Sequence, residues 1–315
     1  MKVLITGGAG FVGSHLAERL LADGDEVLAL DNYATGRRRN LSEREGLTLV
    51  EGDIGDRDAL GKVFADFAPD VVAHAAASYK DPDAWTEDAR TNSLGGANVV
   101  EASRDAGVDR IVYFQTALCY GTQPLEHPIT LEHPIRPDSS YAISKTTAEQ
   151  YIAASGIPWV SLRLANIYGP RNMSGPVPTF FQRLTEGKPC FVMDSRRDFI
   201  FVDDLIEVAV AALSGTGEGA YHVSSGSDVS IKEMFDAVVD AMGVEVEGEV
   251  EVRPRPPEDP PSILLDPSRT EADFGWKAAV PLADGVARAV ADYRENGVGE
   301  TYTHLKREEL RTASE

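Results

Sequence analysis

Tyr141 and Lys145 lie four residues apart in the run Asp138-Ser-Ser-Tyr141-Ala-Ile-Ser-Lys145-Thr-Thr-Ala-Glu149. At helical spacing their side chains share a face, one turn apart. A phenol ordinarily titrates near ~10, too high for a base at neutral pH. A neighbouring ammonium favours the phenolate and draws that value toward the working range. The pair can therefore act as a base aimed at a hydroxyl. Tyrosine and lysine also meet at this spacing by chance on many helices, so the surrounding chain has to decide the matter.

The first requirement is a helix to carry the pair. Pro137 and Asp138-Ser139-Ser140 supply stop and N-cap signals, and residues 142–152 are good helix formers. At the start of the chain a short β-branched run over residues 2–6 ends in Gly7-Gly-Ala-Gly10-Phe11-Val12-Gly13, followed by a helical pattern over 14–22. Strand, glycine turn and helix in that order form the dinucleotide-binding arrangement. Gly7 permits the tight turn, Gly10 lets the backbone approach a pyrophosphate, and Gly13 lets helix and strand pack closely. The pyrophosphate then rests on the helix N-terminus, at Phe11 and Val12, where free N–H groups and the dipole favour an anion.

The second strand, 26–31, ends in Asp31, 18 residues beyond Gly13. A carboxylate there accepts ribose hydroxyls and repels a 2′-phosphate, and Asn32 rather than an arginine follows it, which favours NAD over NADP. Arg37, Arg38 and Arg39 read as a solvated basic turn. A third strand over 47–54 ends in Asp53 and Ile54, an acid and an apolar residue suited to adenine. The fourth, 71–77, ends in Ala75 and Ala76, small enough for a cofactor to pass; His74 reads as a satisfied strand-end histidine. A helix over 92–106 and a strand over 110–116 follow. Strands alternating with helices at this spacing imply an α/β fold with a doubly wound parallel sheet, whose ligands lie beyond the strand C-termini.

Composition narrows the partners. The 315 residues carry a net charge of −21, so nucleic acid is an unsuitable partner and an anionic membrane surface is disfavoured. Cys119 and Cys190 both lie in apolar contexts, which suits a reducing cytoplasm, and Cys119 reads as core packing. Met1 leads directly into a strand and no apolar run is long enough to span a bilayer, so a cytoplasmic protein is expected. No thiolate metal site is expected.

Taken together, these motifs resemble the extended short-chain dehydrogenase/reductases, and within them the nucleotide-sugar epimerase/dehydratase family. The resemblance rests on Thr6-Gly-Gly-Ala-Gly-Phe-Val-Gly13, Asp31-Asn32, Gly52-Asp-Ile54, His74-Ala-Ala-Ala77, Asn92 and Tyr141-x-x-x-Lys145. It continues through Arg163-Leu-Ala-Asn166-Ile-Tyr-Gly-Pro-Arg171, Arg197-Asp-Phe-Ile-Phe-Val-Asp-Asp204, and Arg255 followed by Glu258-Asp259. It implies a Rossmann domain over 1–170 plus about 198–222, and a smaller C-terminal α/β substrate-binding domain over about 171–197 plus 223–315. It further implies that Tyr141 is the base, that Lys145 holds the nicotinamide ribose, and that Thr116 hydrogen-bonds the reacting sugar hydroxyl. Asn92 joins the cofactor contacts. Asn166, Arg197 and Arg255 hold the substrate, the two arginines as a diphosphate clamp. A homodimer is the expected assembly. One departure stands beside Thr116, where family members often carry a second Ser or Thr and this chain has Gln115.

Reaction type is read from the residues after Thr116. Dehydratases and decarboxylases of the family keep proton-transfer acids there; Ala117 and Leu118 can neither take nor deliver a proton. The expected activity is an NAD-dependent nucleotide-sugar epimerase, acting at C4 of a UDP-hexose or derivative through a 4-keto intermediate. The alternatives are a 4-ketoreductase, dehydratase or decarboxylase of the same family, and a catalytically silent NAD-sensing scaffold. The acids of the 81–88 loop are the one other source of a carboxylate.

In the C-terminal half a sixth strand is expected over 159–166 and a helix from about Gly175 to Gly187. A short strand and helix from Phe199, a strand from Tyr221 and an amphipathic helix from Ser230 come next. A β-rich edge over 244–253 leads into a rigid proline-rich loop, 253–261.

Overall fold

The structure, a computed structural model, describes residues 1–255, 260–299 and 301. Glu258 and Asp259 of the C-terminal motif, and most of the polar tail, lie outside the described residues.

Seven parallel strands form the central sheet. In chain order they are β1 (Lys2–Thr6), β2 (Glu26–Asp31), β3 (Leu47–Glu51), β4 (Val71–His74), β5 (Arg110–Thr116), β6 (Trp159–Leu164) and, after further strands described below, β11 (Gly219–Val223). Their spatial order is β11-β6-β5-β4-β1-β2-β3. The order reverses between β1 and β4, and at that point the strand ends leave a crevice for a dinucleotide.

The inner strands are apolar on both faces because helices cover both sides. Val3 and Ile5 of β1, with Val112 and Phe114 of β5, join one core with α1 (Phe11–Ala22) and α7 (Val202–Leu213). Leu4 of β1, with Ile111 and Tyr113 of β5, joins the other core. There they meet α2 (Arg57–Phe67), α4 (Gly95–Ala106) and α5 (Ser140–Ala154). Period-two alternation therefore sends Tyr113 and Gln115 toward α5, the helix that carries Tyr141 and Lys145. Between β4 and α4 the chain forms α3 (Trp85–Asp88) and a π-helical turn, Ala89–Leu94. Between β5 and α5 it forms a 3-10 turn, Ala117–Tyr120.

The remaining elements gather at the C-terminal ends of the strands and beside them. They are β7 (Asn166–Tyr168), α6 (Pro176–Thr185), β8 (Phe191–Met193), β9 (Arg196–Arg197), β10 (Phe199–Phe201), β12 (Val229–Ser230) and α8 (Ile231–Met242), then β13 (Glu251–Arg253), β14 (Ser262–Ile263), α9 (Ser268–Phe274) and α10 (Leu282–Asn296). Three small sheets result: β10-β7, β12-β9-β14 and β13-β8. A capping box, Ser230 with Glu233, starts α8.

Five boundaries differ from expectation, the first being that β4 stops at His74, short of Ala75 and Ala76. The strand over 159–166 divides: Ala165 N–H bonds Val223 O at 3.0 Å, Asn166 N–H then turns to Asp198 O at 2.9 Å, and β7 pairs outside the main sheet with β10. β3 stops at Glu51, so Asp53 and Ile54 occupy the following loop. The segment 92–106 is not one helix, since Asn92 lies inside the π-helical turn. Of the edge over 244–253, only Glu251–Arg253 finds a partner, β8; residues 243–249, which include three glutamates, face solvent.

Candidate active site

The glycine turn has the tightness a cofactor loop needs. Gly7 adopts φ +69°, and a Cβ there would lie 2.7 Å from Ala76 N. A Cβ on Gly13 would come within 2.2 Å of Gly7 O. The first i→i−4 bond of α1 runs from Ser14 N–H to Gly10 O at 3.1 Å, so the N–H groups of Phe11, Val12 and Gly13 precede the helical ladder. No side chain caps this end and its first turn holds no acid. These free donors favour an anion. Ala75 N–H bonds Thr6 O at 3.1 Å and Ala76 N–H bonds Thr6 Oγ1 at 3.3 Å, which brings both small residues against Gly7.

Asp31, at the end of β2, is buried. Its Oδ2 accepts from Ala9 N–H at 2.9 Å and its Oδ1 from Tyr33 N–H at 2.7 Å. Burial raises its pKa, against those backbone donors, which lower it. Exposed Asn32 accepts from Ala34 N–H at 3.0 Å. Asp53 accepts from Gly55 N–H at 2.7 Å and from Arg90 at 2.7 Å. Burial would raise Asp53, but the Arg90 guanidinium and the other donors around it win and hold it low. Ile54 is buried against Gly95. The basic turn is not simply solvated. Arg37 donates to Val298 O at 2.6 Å, and Arg39 to Gly297 O at 2.8 Å, so both hold the chain just beyond α10.

Tyr141 and Lys145 sit in the first two turns of α5, which Ser139 caps through Ala142 N–H at 3.3 Å. The Lys145 side chain is only 2% exposed, and its Nζ lies 4.2 Å from the Tyr113 ring centroid. Burial pushes this ammonium down to about 7, while the Glu149 carboxylate works to raise it. Tyr141 departs from expectation: burial pushes its phenol above the ordinary value, and the Asp88 carboxylate adds to the rise. Within the chain, desolvation governs the phenol, and the lowering expected from Lys145 is not what sets it. Thr116 ends β5, its Oγ1 accepting from Leu118 N–H at 3.2 Å and its own N–H bonding Gln115 Oε1 at 2.8 Å. Asn92 is buried, and its amide is committed to the chain: it bonds the backbone of Ser78 at 2.8 and 3.0 Å and Ser144 Oγ at 2.9 Å.

On the substrate side the sequence candidates lie on separate small elements. Asn166 Nδ2 donates to Asp198 O at 3.2 Å. Arg197, in the central strand of the sheet β12-β9-β14, donates to Arg196 O at 2.7 Å and Pro260 O at 2.9 Å. Arg255 is half-buried, two residues beyond β13. His74 is a satisfied strand-end residue: its Nδ1 meets Thr6 Oγ1 at 2.7 Å, and burial, with the Lys145 charge, lowers it to about 3. Cys119 is fully buried, and burial pushes its thiol up to about 12, so it behaves as packing.

Residues 3–224 match the family model described as the NAD dependent epimerase/dehydratase family. The chain belongs to that family. Its fold is similar to that of the Bordetella bronchiseptica enzyme WbmH in complex with NAD+, at 56% identity and a TM-score of 0.91, covering 94% of this chain and 99% of that one. It is likewise similar to WbmG of the same organism in complex with NAD and UDP, at 46% identity and a TM-score of 0.90, over 96% of this chain and 98% of the other. A UDP-glucose 4-epimerase of Mycolicibacterium smegmatis is 34% identical over 93% of this chain and 99% of its own length. A UDP-glucuronic acid decarboxylase of Arabidopsis thaliana is also a relative, at 28% identity.

NAD is the cofactor of this family member, and the residues present fit it. The α1 N-terminus offers N–H groups for a pyrophosphate, and Asp31 offers a carboxylate rather than a cation at the end of β2. Several residues of the site carried little or no signal beforehand, Asp88 only as one of the acids of the 81–88 loop. Gly36 passes so close to Asp31 that a Cβ there would lie 2.6 Å from Oδ1. Asp88 is buried beneath Ser78, whose Oγ donates to it at 3.1 Å. Tyr113 of β5 and Glu149 of α5 flank Lys145, and Arg163 of β6 holds Glu149 from its other side. Of these three, Arg163 carried a signal, as the first residue of the run that leads to Asn166.

Proposed function

We propose that the protein is an NAD-dependent epimerase acting at C4 of a UDP-hexose or a derivative of one. NAD supplies the hydride acceptor and donor. Tyr141 takes the proton of the C4 hydroxyl as hydride leaves that carbon, and returns it after the 4-keto sugar has presented its other face. Lys145 holds its ammonium close to the phenol, which favours phenolate over phenol at the moment of proton transfer. Thr116 orients the hydroxyl, and Asn166, Arg197 and Arg255 hold the nucleotide-sugar. No net redox change results, since the hydride and the proton both return to the sugar.

The observation that supports this reading is the turn after Thr116. Ala117 is buried, Leu118 packs against the core, and neither side chain can transfer a proton. Asp88, the acid at the end of α3, is buried and shared between Ser78 and Ser140. A panel of UDP-, dTDP-, GDP- and CDP-hexoses followed by proton NMR tests the assignment. Interconversion of C4 epimers of a UDP-hexose, without net NADH formation, is the expected result; loss of water or carbon dioxide would move the protein to the dehydratases or decarboxylases.

The proposal extends to assembly and location. Ile143 and Tyr151, two turns apart on α5, are 52% and 48% exposed, and Leu94 on the adjoining π-helical turn is 51% exposed. An apolar face of this kind suits a second copy of the chain, and a homodimer in the cytoplasm is the form we expect. Light scattering of the wild type against Ile143→Glu tests the dimer. Among the described residues no helix is long and apolar enough to cross a membrane.

A further inference from the structure

Beneath the Tyr141–Lys145 pair lies a buried network with no part in the reaction described above. Glu149 follows Lys145 by one turn on α5, and both side chains are buried. Glu149 Oε1 accepts from Arg163 Nε at 3.0 Å and from Ser161 Oγ at 2.5 Å; Oε2 accepts from Arg163 Nη2 at 3.1 Å. Arg163 Nη1 then donates to Tyr120 Oη at 2.8 Å, and Tyr120 Oη meets His222 Nε2 at 2.6 Å. His222 Nδ1 lies 2.9 Å from Asp266 O, a carbonyl, so this ring nitrogen carries the proton and Tyr120 donates to the other. Every member has a fixed donor or acceptor role, so the Glu149 carboxylate cannot swing away from its place under α5.

Lys145 lacks a comparable partner. Its ammonium stands over the Tyr113 ring, and among the described residues no hydrogen bond or ion pair reaches Nζ. The groups that face it or its helix can be named in turn. His74 on β4 is neutral, and Tyr113 on β5 and Tyr120 and Cys119 on the 3-10 turn are held protonated by burial. Asp88 on α3 is turned to Ser78 and Ser140, near Tyr141. Arg163 on β6 is a like charge on the far side of Glu149. Glu149 is the anion that remains for Lys145.

We infer that Glu149, clamped by Arg163 and Ser161, is a positioning residue: it is the buried counter-charge that keeps the Lys145 ammonium charged at the mouth of the site. The inference deepens the proposed function, since it rests on Lys145 serving the tyrosine base. Burial alone favours the neutral amine, which could neither stabilise a phenolate nor donate all its hydrogen bonds to a ribose. A carboxylate one turn below, at roughly 5–6 Å between Cβ atoms, opposes that loss without capping the ammonium and blocking its approach to a ligand.

The test follows Lys145 directly in the protein without added sugar, by NMR of its labelled Nζ or Cε across pH, the resonance being assigned by its loss in Lys145→Met. In Glu149→Gln the midpoint should fall by about 1 pH unit or more, because the counter-charge is gone and Arg163 is left unbalanced. In the double variant Glu149→Gln/Arg163→Gln the midpoint should lie between that value and the wild type. The double variant removes the Arg163 charge that the single variant would leave unpaired, so it carries the test if the single variant fails to fold. A role in packing alone would destabilise the variants without moving the midpoint. A midpoint at or above the wild-type value in either variant overturns the inference. The measurement does not depend on turnover, so a failure of the epimerase reading, seen as an active Tyr141→Phe, is distinguishable from a failure here.

Discussion

Lys145 and Tyr113 hold each other twice: the Lys145 ammonium lies 4.2 Å from the Tyr113 ring centroid, and the Tyr113 hydroxyl donates to Lys145 O at 3.0 Å. The ring face attracts the cation and the hydroxyl pins the helix backbone that carries it. Tyr113→Phe should keep the first contact and lose the second, at a cost of about 0.5–1.5 kcal/mol of stability. Tyr113→Leu should lose both and weaken NAD binding as well. Urea denaturation and NAD titration of the two variants check this; equal NAD affinity in both would show that the ring face is not what seats Lys145.

Tyr141→Phe should abolish most turnover, by the ~10²–10⁴-fold typical of a lost general base, while NAD stays bound. The ring volume is retained and only the hydroxyl is removed, so the readouts to compare are the epimerisation rate and cofactor retention on gel filtration.

Asp31 is the residue expected to set the cofactor preference, and Gly36 lies close against it. Asp31→Ala should relax the preference for NAD over NADP in competitive binding. Gly36→Ala should weaken NAD binding without relaxing that preference, because the new methyl would press on Asp31 Oδ1 from 2.6 Å rather than remove its charge. If NADP affinity rises in Gly36→Ala, the steric account fails.

Stability should climb with pH from about 7 to about 9, above which Cys119, held protonated by burial, acts with the opposite sign. Lys145 titrates at about 7 in the folded chain against 10.5 ordinarily, so across that window the unfolded chain binds the extra proton and folding gains as pH rises. His74 acts with the same sign between about 3 and 6.5. Lys145→Met should flatten the upper slope and leave the lower one intact, as denaturant midpoints measured across pH in the two proteins can show.

Incubation with dTDP-glucose or UDP-glucose should produce no 4-keto-6-deoxy sugar, since eliminating water needs one group to take a proton and another to deliver one. Ala117 and Leu118 do neither. Alkaline absorbance of that product, formed at enzymatic rates, would point to Asp88 as the acid and overturn the epimerase assignment.

The sequence by itself determined the features that depend on short-range spacing. The glycine turn after β1, Asp31 at the end of β2 and the Tyr141–Lys145 pair on α5 are local, and steric freedom, strand ends and helical periodicity make them readable. Only the tertiary structure decided what surrounds them. Glu149 and Arg163 are 14 residues apart, and Tyr120 and His222 are 102 apart; they meet because β6 lies between β5 and β11 in the parallel sheet. The bond from Asn92 to Ser144 and the bonds from Arg37 and Arg39 to the chain after α10 likewise depend on partners far along the chain. The state of Tyr141 belongs to the same class. Spacing brings an ammonium near the phenol, but desolvation, which no spacing expresses, raises the one group and lowers the other.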